Sequence, residues 1–144
     1  MELFDVNILV YAHREDQDHH SFFRQYVESQ LNSGQDFALS PLVATAFLRT
    51  VTHPSFPNGP TPLAQALATI ESLASLDRCH WVRPGQRHWA ITASLCRETQ
   101  STGKQITDAQ PTAIAIEHAC RWVTRDQDFR VFRPFGLNLK LLEP

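Results

Sequence analysis

Hydrophobic positions recur along this chain with two spacings, one typical of helices and one of short strands. Apolar pairs four residues apart, such as Phe22/Phe23 with Tyr26/Val27, predict amphipathic helices. Short apolar runs between them predict buried strands. The predicted strands span residues 2–4, 36–39, 79–82, 121–124 and 137–142. The predicted helices span residues 6–13, 22–31, 42–51, 63–74 and 85–99. A last helix, expected to be buried, begins at Asp108 and runs through Ile116.

The order of these elements predicts the fold class. Strands alternate with helices, which favours an α/β fold: a three-layer α/β/α arrangement with a central, mainly parallel sheet of about five strands. The stretch richest in Pro and Gly, His53–Pro62, is short enough to be a connecting loop. Residues 1–144 therefore read as a single domain.

Composition narrows the function classes only slightly. The formal net charge of −2 argues against a protein that coats itself with nucleic acid through bulk electrostatics. Cys79, Cys96 and Cys120 have neither paired zinc spacing nor a disulfide framework, so each is expected to be a small buried hydrophobe. The N-terminus shows no basic leader or cleavage site, and no apolar run could span a bilayer, so a cytoplasmic location is expected.

Four aspartates follow the predicted strands or precede a predicted helix. Asp5 follows the first strand, Asp126 and Asp128 follow the strand of residues 121–124, and Asp108 stands just before a helix. Ligands of open parallel sheets bind beyond the carboxyl ends of the strands, so these acids are expected at one edge. Each also has a simpler interpretation, because Asp5 and Asp108 suit helix N-caps and the other two suit turns.

Such a group of carboxylates is suited to a hard divalent cation. Magnesium and manganese prefer oxygen ligands and are usually held by a few carboxylates with water and substrate phosphate. The metal lowers the pKa of a bound water and neutralises charge on a phosphoryl group. Helix N-termini at Asp5 and Asp108 are expected to keep both carboxylates ionised.

Three segments resemble the PIN-domain proteins, and specifically the VapC-type toxins of bacterial toxin–antitoxin pairs. They are FDVNILVYA at 4–12, FLRTVTHP at 47–54 and DAQPTAIAIEHACRWVTRDQDF at 108–129. The resemblance implies a Mg²⁺- or Mn²⁺-dependent endoribonuclease that hydrolyses RNA phosphodiester bonds, is neutralised by a cognate antitoxin and forms a homodimer. It implies that Asp5, Asp108 and Asp126 are catalytic metal ligands, that Asp128 is an auxiliary metal ligand, and that Asn7, Thr124 and Arg49 are supporting residues.

The chain departs from this family at one position of the expected acid cluster. A glutamate usually precedes the FLR motif, and here Ala46 stands in its place. The substitution leaves open an introduced detoxifying change, a naturally weakened enzyme, or a site that recruits another acid. Glu117, the nearest extra acid, would lie about 13 Å along the helix from Asp108 and is expected to be structural. Gln110 and Pro111 are also unusual for the family, although proline is tolerated in the first turn of a helix.

Two alternatives to a nuclease remain. A non-catalytic PIN-like protein would bind antitoxin or RNA without cutting it. Phosphoryl transfer to an aspartate is disfavoured, because the segment that starts at Asp5 lacks a second aspartate two residues later.

Overall fold

Short strands alternate with helices from one end of the chain to the other in the computed structural model, which describes all residues from 1 to 144. The strands are β1 (Glu2–Phe4), β2 (Phe37–Leu39), β3 (Cys79–Trp81), β4 (Arg121–Thr124) and β5 (Leu139–Leu141). The helices are α1 (Val6–His13), α2 (His20–Asn32), α3 (Pro41–Val51), α4 (Leu63–Ala74), α5 (His88–Thr99) and α6 (Lys104–Glu117), with a 3₁₀ helix at Gln127–Phe135.

The five strands form one sheet in the order β3-β2-β1-β4-β5, and every neighbouring pair is parallel. β1 lies in the middle, where Leu3 pairs with Ala38 of β2 and Trp122 of β4. The predicted α/β class with a five-stranded parallel sheet is confirmed. Because all strands point the same way, the residues that follow β1 and β4 emerge side by side at one edge.

The central strands and the helices around them bury one continuous apolar core. All three residues of β2 are buried, as expected for a strand that is covered on both faces. α3 buries Val43, Phe47 and Val51, which are spaced four residues apart as the sequence pattern predicts. No helix of the protein combines the length and apolar character that crossing a membrane requires.

The three cysteines differ in burial. All are free thiols, as predicted, but only Cys120 is buried, while Cys79 and Cys96 are half-buried. The expectation that each is a fully buried hydrophobe is therefore wrong for two of them. Cys79 belongs to the edge strand β3, where one side of the strand has no neighbour to cover it.

The start of α6 differs from the prediction. The helix begins at Lys104 directly after Gly103, which has φ of +57°, so Asp108 lies in the second turn and not before the helix. The polar residues that open α6 hid its first turn, because the apolar pattern starts only at Ala109. Pro111 consequently lies inside the helix and not in its first turn.

α5 begins at His88, three residues later than predicted, because the preceding loop is held in place by the end of α6. The Glu117 carboxylate accepts hydrogen bonds from the backbone N–H groups of Gly85 (2.7 Å) and Arg87 (2.9 Å). A Cβ at Gly85 would come within 2.7 Å of Glu117 Oε2, so any other residue there would require the Glu117 side chain to shift. Glu117 is therefore structural, as the sequence predicts.

The 3₁₀ helix at Gln127–Phe135 was not predicted. Its two buried residues, Phe129 and Phe132, are three positions apart and pack into the core next to β4. Three-residue spacing is the repeat of a 3₁₀ helix, and it differs from the four-residue pairs by which the sequence pattern identifies the α-helices of this chain.

The N-cap of α3 is expected to contribute measurably to the stability of the protein. Ser40 is buried and its Oγ accepts a hydrogen bond from Leu42 N at 3.2 Å, with Pro41 at the first helical position. Replacing Ser40 with Ala is expected to lower the free energy of unfolding by about 1 kcal/mol. Urea denaturation should show a lower midpoint with an unchanged slope, and Ser40→Asn should keep most of the stability. A midpoint for Ser40→Ala equal to that of the natural chain would contradict the capping role.

Candidate metal centre

Asp5 lies at the middle of the sheet edge, between the end of β1 and the start of α1. Its Oδ1 accepts a hydrogen bond from Val6 N at 2.7 Å, which makes it the N-cap of α1. Its Oδ2 accepts hydrogen bonds from Thr124 Oγ1 at 2.6 Å and Asn7 Nδ2 at 3.1 Å. The residue is only 8% exposed, so its carboxylate is both fixed and largely withdrawn from water.

Burial has a direct electrostatic consequence for Asp5. The pKa of Asp5 is raised to about 6, chiefly because its carboxylate is removed from water; hydrogen bonds from Thr124 and Val6 lower it, and the nearby charges of Asp126 and Asp108 raise it. The sequence-based expectation was that the helix N-terminus keeps this carboxyl ionised; with a pKa of about 6 it is still mostly ionised at neutral pH, although its pKa is raised and not lowered. Desolvation outweighs the helix dipole at this position.

Thr124 and Asn7 connect the ends of β4 and β1 into one polar network. Thr124 Oγ1 donates to Asp5 and accepts hydrogen bonds from Asn7 Nδ2 at 3.1 Å and from Asp126 N at 2.9 Å. Asn7 Oδ1 accepts a hydrogen bond from Arg125 N at 3.3 Å. Both residues therefore fix the position of Asp5 relative to the loop that carries Asp126.

The other three acids surround the ammonium group of Lys104. Lys104 Nζ donates to Oδ2 of Asp108 at 2.9 Å and of Asp126 at 3.0 Å, and lies 3.5 Å from Oδ2 of Asp128. The side chain of Asp108 is 15% exposed and that of Asp128 is 74% exposed, so the cluster runs from a shielded to an open side. The hydrogen bond to Asp108, followed by the other acids, raises the pKa of Lys104 above its ordinary value.

The acids open onto a cavity of about 480 Å³ at this edge of the sheet. Its lining includes Asp5, Asp108 and Asp126, which come from three separate parts of the chain. Ala46 and Arg49 also line it, since both lie on the side of α3 that faces away from its buried stripe. Of the residues chosen from the sequence, Asn7 also lines the cavity, Thr124 is buried behind it, and Asp128 lies at the outer side of the Lys104 cluster.

Sequence reasoning missed the role of Lys104. The sequence pattern assigned Lys104 no place in the expected acid cluster, whereas the structure places it among the acids. A signal was present, because Lys104 precedes Asp108 by four residues and such pairs meet on a helix. Using that signal required knowing that α6 already begins at Lys104.

The carboxylate oxygens of the four acids are chemically suited to bind a hard divalent cation. Four carboxylates are available, and three of them already place an oxygen around one cationic group, the Lys104 ammonium. No group of three or more His, Cys, Asp or Glu side chains is, however, arranged to hold a metal ion as the residues stand. Oxygens that lie about 3 Å from a nitrogen would have to close in to about 2.1 Å around magnesium. The donor chemistry thus suits a metal, while the oxygens as they stand are spaced around an ammonium nitrogen.

Comparisons with known proteins agree with this architecture. The PIN domain family model matches residues 3–133. Ribonuclease VapC25 of Mycobacterium tuberculosis is 36% identical over 132 residues, which cover 92% of this chain and 93% of that protein. The crystal structure of VapBC2 from Rickettsia felis bound to a promoter DNA fragment is similar with a TM-score of 0.71 and 18% identity, over 99% of this chain and 98% of that chain.

A toxin–antitoxin complex from Klebsiella pneumoniae has the same fold, with a TM-score of 0.60 and 16% identity over 97% of this chain and 96% of that chain. At these identities the solved structures establish the fold, while the family match and the VapC relatives establish the relationship. The chain belongs to the PIN-domain family and, within it, to the VapC ribonucleases.

Proposed function

We propose that this protein is a toxin endoribonuclease that hydrolyses RNA phosphodiester bonds with Mg²⁺ or Mn²⁺ held by Asp5, Asp108 and Asp126. The observation that carries the proposal is the meeting of these three acids, from β1, α6 and the end of β4, around one cavity. Asp128 extends the cluster on its open side.

Each residue of the site has a separate part in this reaction. When bound, a divalent ion supplies an activated water and neutralises charge on the phosphate. Asp108 and Asp126 present their Oδ2 atoms to one point, and Asp5 is oriented by Thr124 and Asn7. Arg49, which is exposed and forms no ion pair, is free to contact an RNA phosphate at the cavity.

The proposal includes an antitoxin partner, a homodimeric assembly and a cytoplasmic location. Support for the antitoxin comes from the structural relatives, of which one is a toxin–antitoxin complex.

A second function, binding without cleavage, is favoured by Ala46. Ala46 lines the acid cavity at the position where the family usually carries a glutamate. A site that has lost one acid holds its metal less firmly and aims the bound water less well. Such a protein would still bind RNA or antitoxin.

The two functions are separated by measuring metal binding and cleavage on the same preparations. We expect calorimetry to show saturable Mn²⁺ binding to the natural chain, and Asp108→Asn to weaken that affinity about tenfold or more. RNA cleavage should require the metal and stop in EDTA. Absence of Mn²⁺ binding to the natural chain would overturn the metal-dependent nuclease, whereas metal and RNA binding without any cleavage would favour the binding protein.

A further inference from the structure

The Lys104 ammonium lies among three acids whose negative charges require a nearby cation. Its ammonium is within hydrogen-bond distance of Asp108 and Asp126 and within 3.5 Å of Asp128. No other cationic side chain forms an ion pair with any of these three acids. One tethered positive charge therefore offsets part of the mutual repulsion of the three carboxylates.

The same oxygens cannot serve the ammonium and a metal ion together. The Oδ2 atoms of Asp108 and Asp126 are both engaged by Lys104, and a metal ion bound there would stand next to a second positive charge. Lys104 is able to leave, because its side chain is 63% exposed and it is the first residue of α6. Its four-carbon stem has enough rotatable bonds to turn the ammonium into solvent without disturbing the helix.

We propose that Lys104 is a tethered counter-ion that holds the acid cluster together without metal, and that a divalent ion binds only by displacing it. This inference rests on the proposed function, since it concerns the same acids. Lys104 thereby lowers the metal affinity of the site and sets how much free metal is needed to fill it. It is a positioning residue and not a catalytic one.

Lys104→Met tests the proposal, since methionine keeps an unbranched stem of similar length and removes the charge. We expect the affinity for Mn²⁺, measured by calorimetry, to rise about tenfold, because three ion pairs no longer oppose metal entry. The metal-free variant should melt at a lower temperature than the natural chain, since the acids repel one another. Saturating Mn²⁺ should therefore raise its melting temperature by more than it raises that of the natural chain.

Two control variants accompany this measurement. Lys140 is the chain's other lysine and lies 3.7 Å from Glu2, away from the acid cavity, so Lys140→Met should leave the Mn²⁺ affinity unchanged. Lys104→Arg keeps the charge and should keep the low affinity. Lys104→Gln provides a second neutral variant if the methionine variant does not fold.

The outcomes separate this inference from the proposed function. Saturable Mn²⁺ binding with equal affinity in the natural chain, Lys104→Met and Lys104→Gln would overturn the counter-ion role and leave the metal site intact. Weaker binding in both neutral variants would also overturn it, since Lys104 would then assist the metal. Absence of Mn²⁺ binding in the natural chain and in every variant would overturn the proposed function itself, and the counter-ion role with it. Mn²⁺ binding that is measurable in the natural chain and tighter in both neutral variants supports displacement.

Discussion

Replacing Asp5 with Asn is expected to stabilise the metal-free protein while disabling its site. At pH 7.5 the free energy of unfolding should rise by up to about 3 kcal/mol, because the variant no longer buries a carboxylate charge. RNA cleavage should fall about a hundredfold or more, since one of the metal-holding acids is lost. Val6 donates to Oδ1 whereas Thr124 and Asn7 donate to Oδ2, so the single amide oxygen of Asn loses at least one of these hydrogen bonds, and 3 kcal/mol is an upper value.

The pH dependence identifies the cause of this stabilisation. In the unfolded chain Asp5 ionises near pH 3.8, whereas burial in the folded chain delays its ionisation to about 6. Between these values the folded state holds more protons, so the contribution of Asp5 to stability is lost as the pH rises through this window. The natural chain should therefore lose stability from about pH 4 to pH 6 relative to Asp5→Asn, and the difference should stay constant at higher pH.

Urea denaturation in EDTA at a series of pH values measures this difference. Asp18→Asn is the matched control, because Asp18 is exposed and forms no hydrogen bond or ion pair through its side chain. Its profile should follow that of the natural chain. Parallel profiles for Asp5→Asn and the natural chain would show that Asp5 is not a source of instability in the folded protein.

The geometry of Asp5 explains why its buried charge lowers the stability of the fold. The carboxylate is positioned by Thr124 and Asn7, and the burial that fixes it also disfavours its charge. A divalent ion would reverse the balance, because a nearby positive charge favours the ionised carboxyl. A metal ion bound as proposed would therefore also stabilise the fold, because it would favour the Asp5 charge that burial disfavours.

Asp5 is also the site residue that the sequence predicts best. A short strand that ends in Phe4 and a helix that begins at Val6 place an N-cap between them, and both elements were found where the pattern indicated. Asp126 follows from β4 in the same way. The parallel sheet then brings the two acids together, because β1 and β4 are neighbours.

Lys104 could not be found by the same reasoning. The first turn of α6 is mostly polar and its one apolar residue, Ile106, is exposed, so hydrophobic periodicity shows the helix only from Ala109 onward. The bonds from Lys104 to Asp126 and Asp128 span 22 and 24 residues, and their geometry depends on how α6 packs beside the end of β4. Packing of this kind is a property of the folded chain, which a local sequence pattern does not contain.

Introducing a glutamate at Ala46 is expected to strengthen the site more than any other single change. Ala46 is half-buried and lines the cavity with Asp5, Asp108 and Asp126, while Val43 and Phe47 of the same helix face the core. A glutamate side chain would therefore enter the cavity without disturbing the core. We expect the affinity for Mn²⁺ to rise about tenfold to a hundredfold and metal-dependent RNA cleavage to rise with it.

Charge, and not side-chain size, should be responsible for the gain at Ala46. Ala46→Gln fills the cavity equally but adds no charge, so it should leave both the Mn²⁺ affinity and the cleavage rate near those of the natural chain. Equal gains in the two variants would show that packing around the acids limits the site. If Ala46→Glu binds Mn²⁺ tightly and still cuts no RNA, the missing glutamate is not what separates this chain from an active nuclease, and the binding function becomes the better account.

Lys104 complicates the Ala46→Glu experiment, because the new carboxylate is able to attract the Lys104 ammonium as well as the metal. Combining Ala46→Glu with Lys104→Met removes that competition, so the double variant should bind Mn²⁺ more tightly than either single variant if displacement of Lys104 limits metal entry.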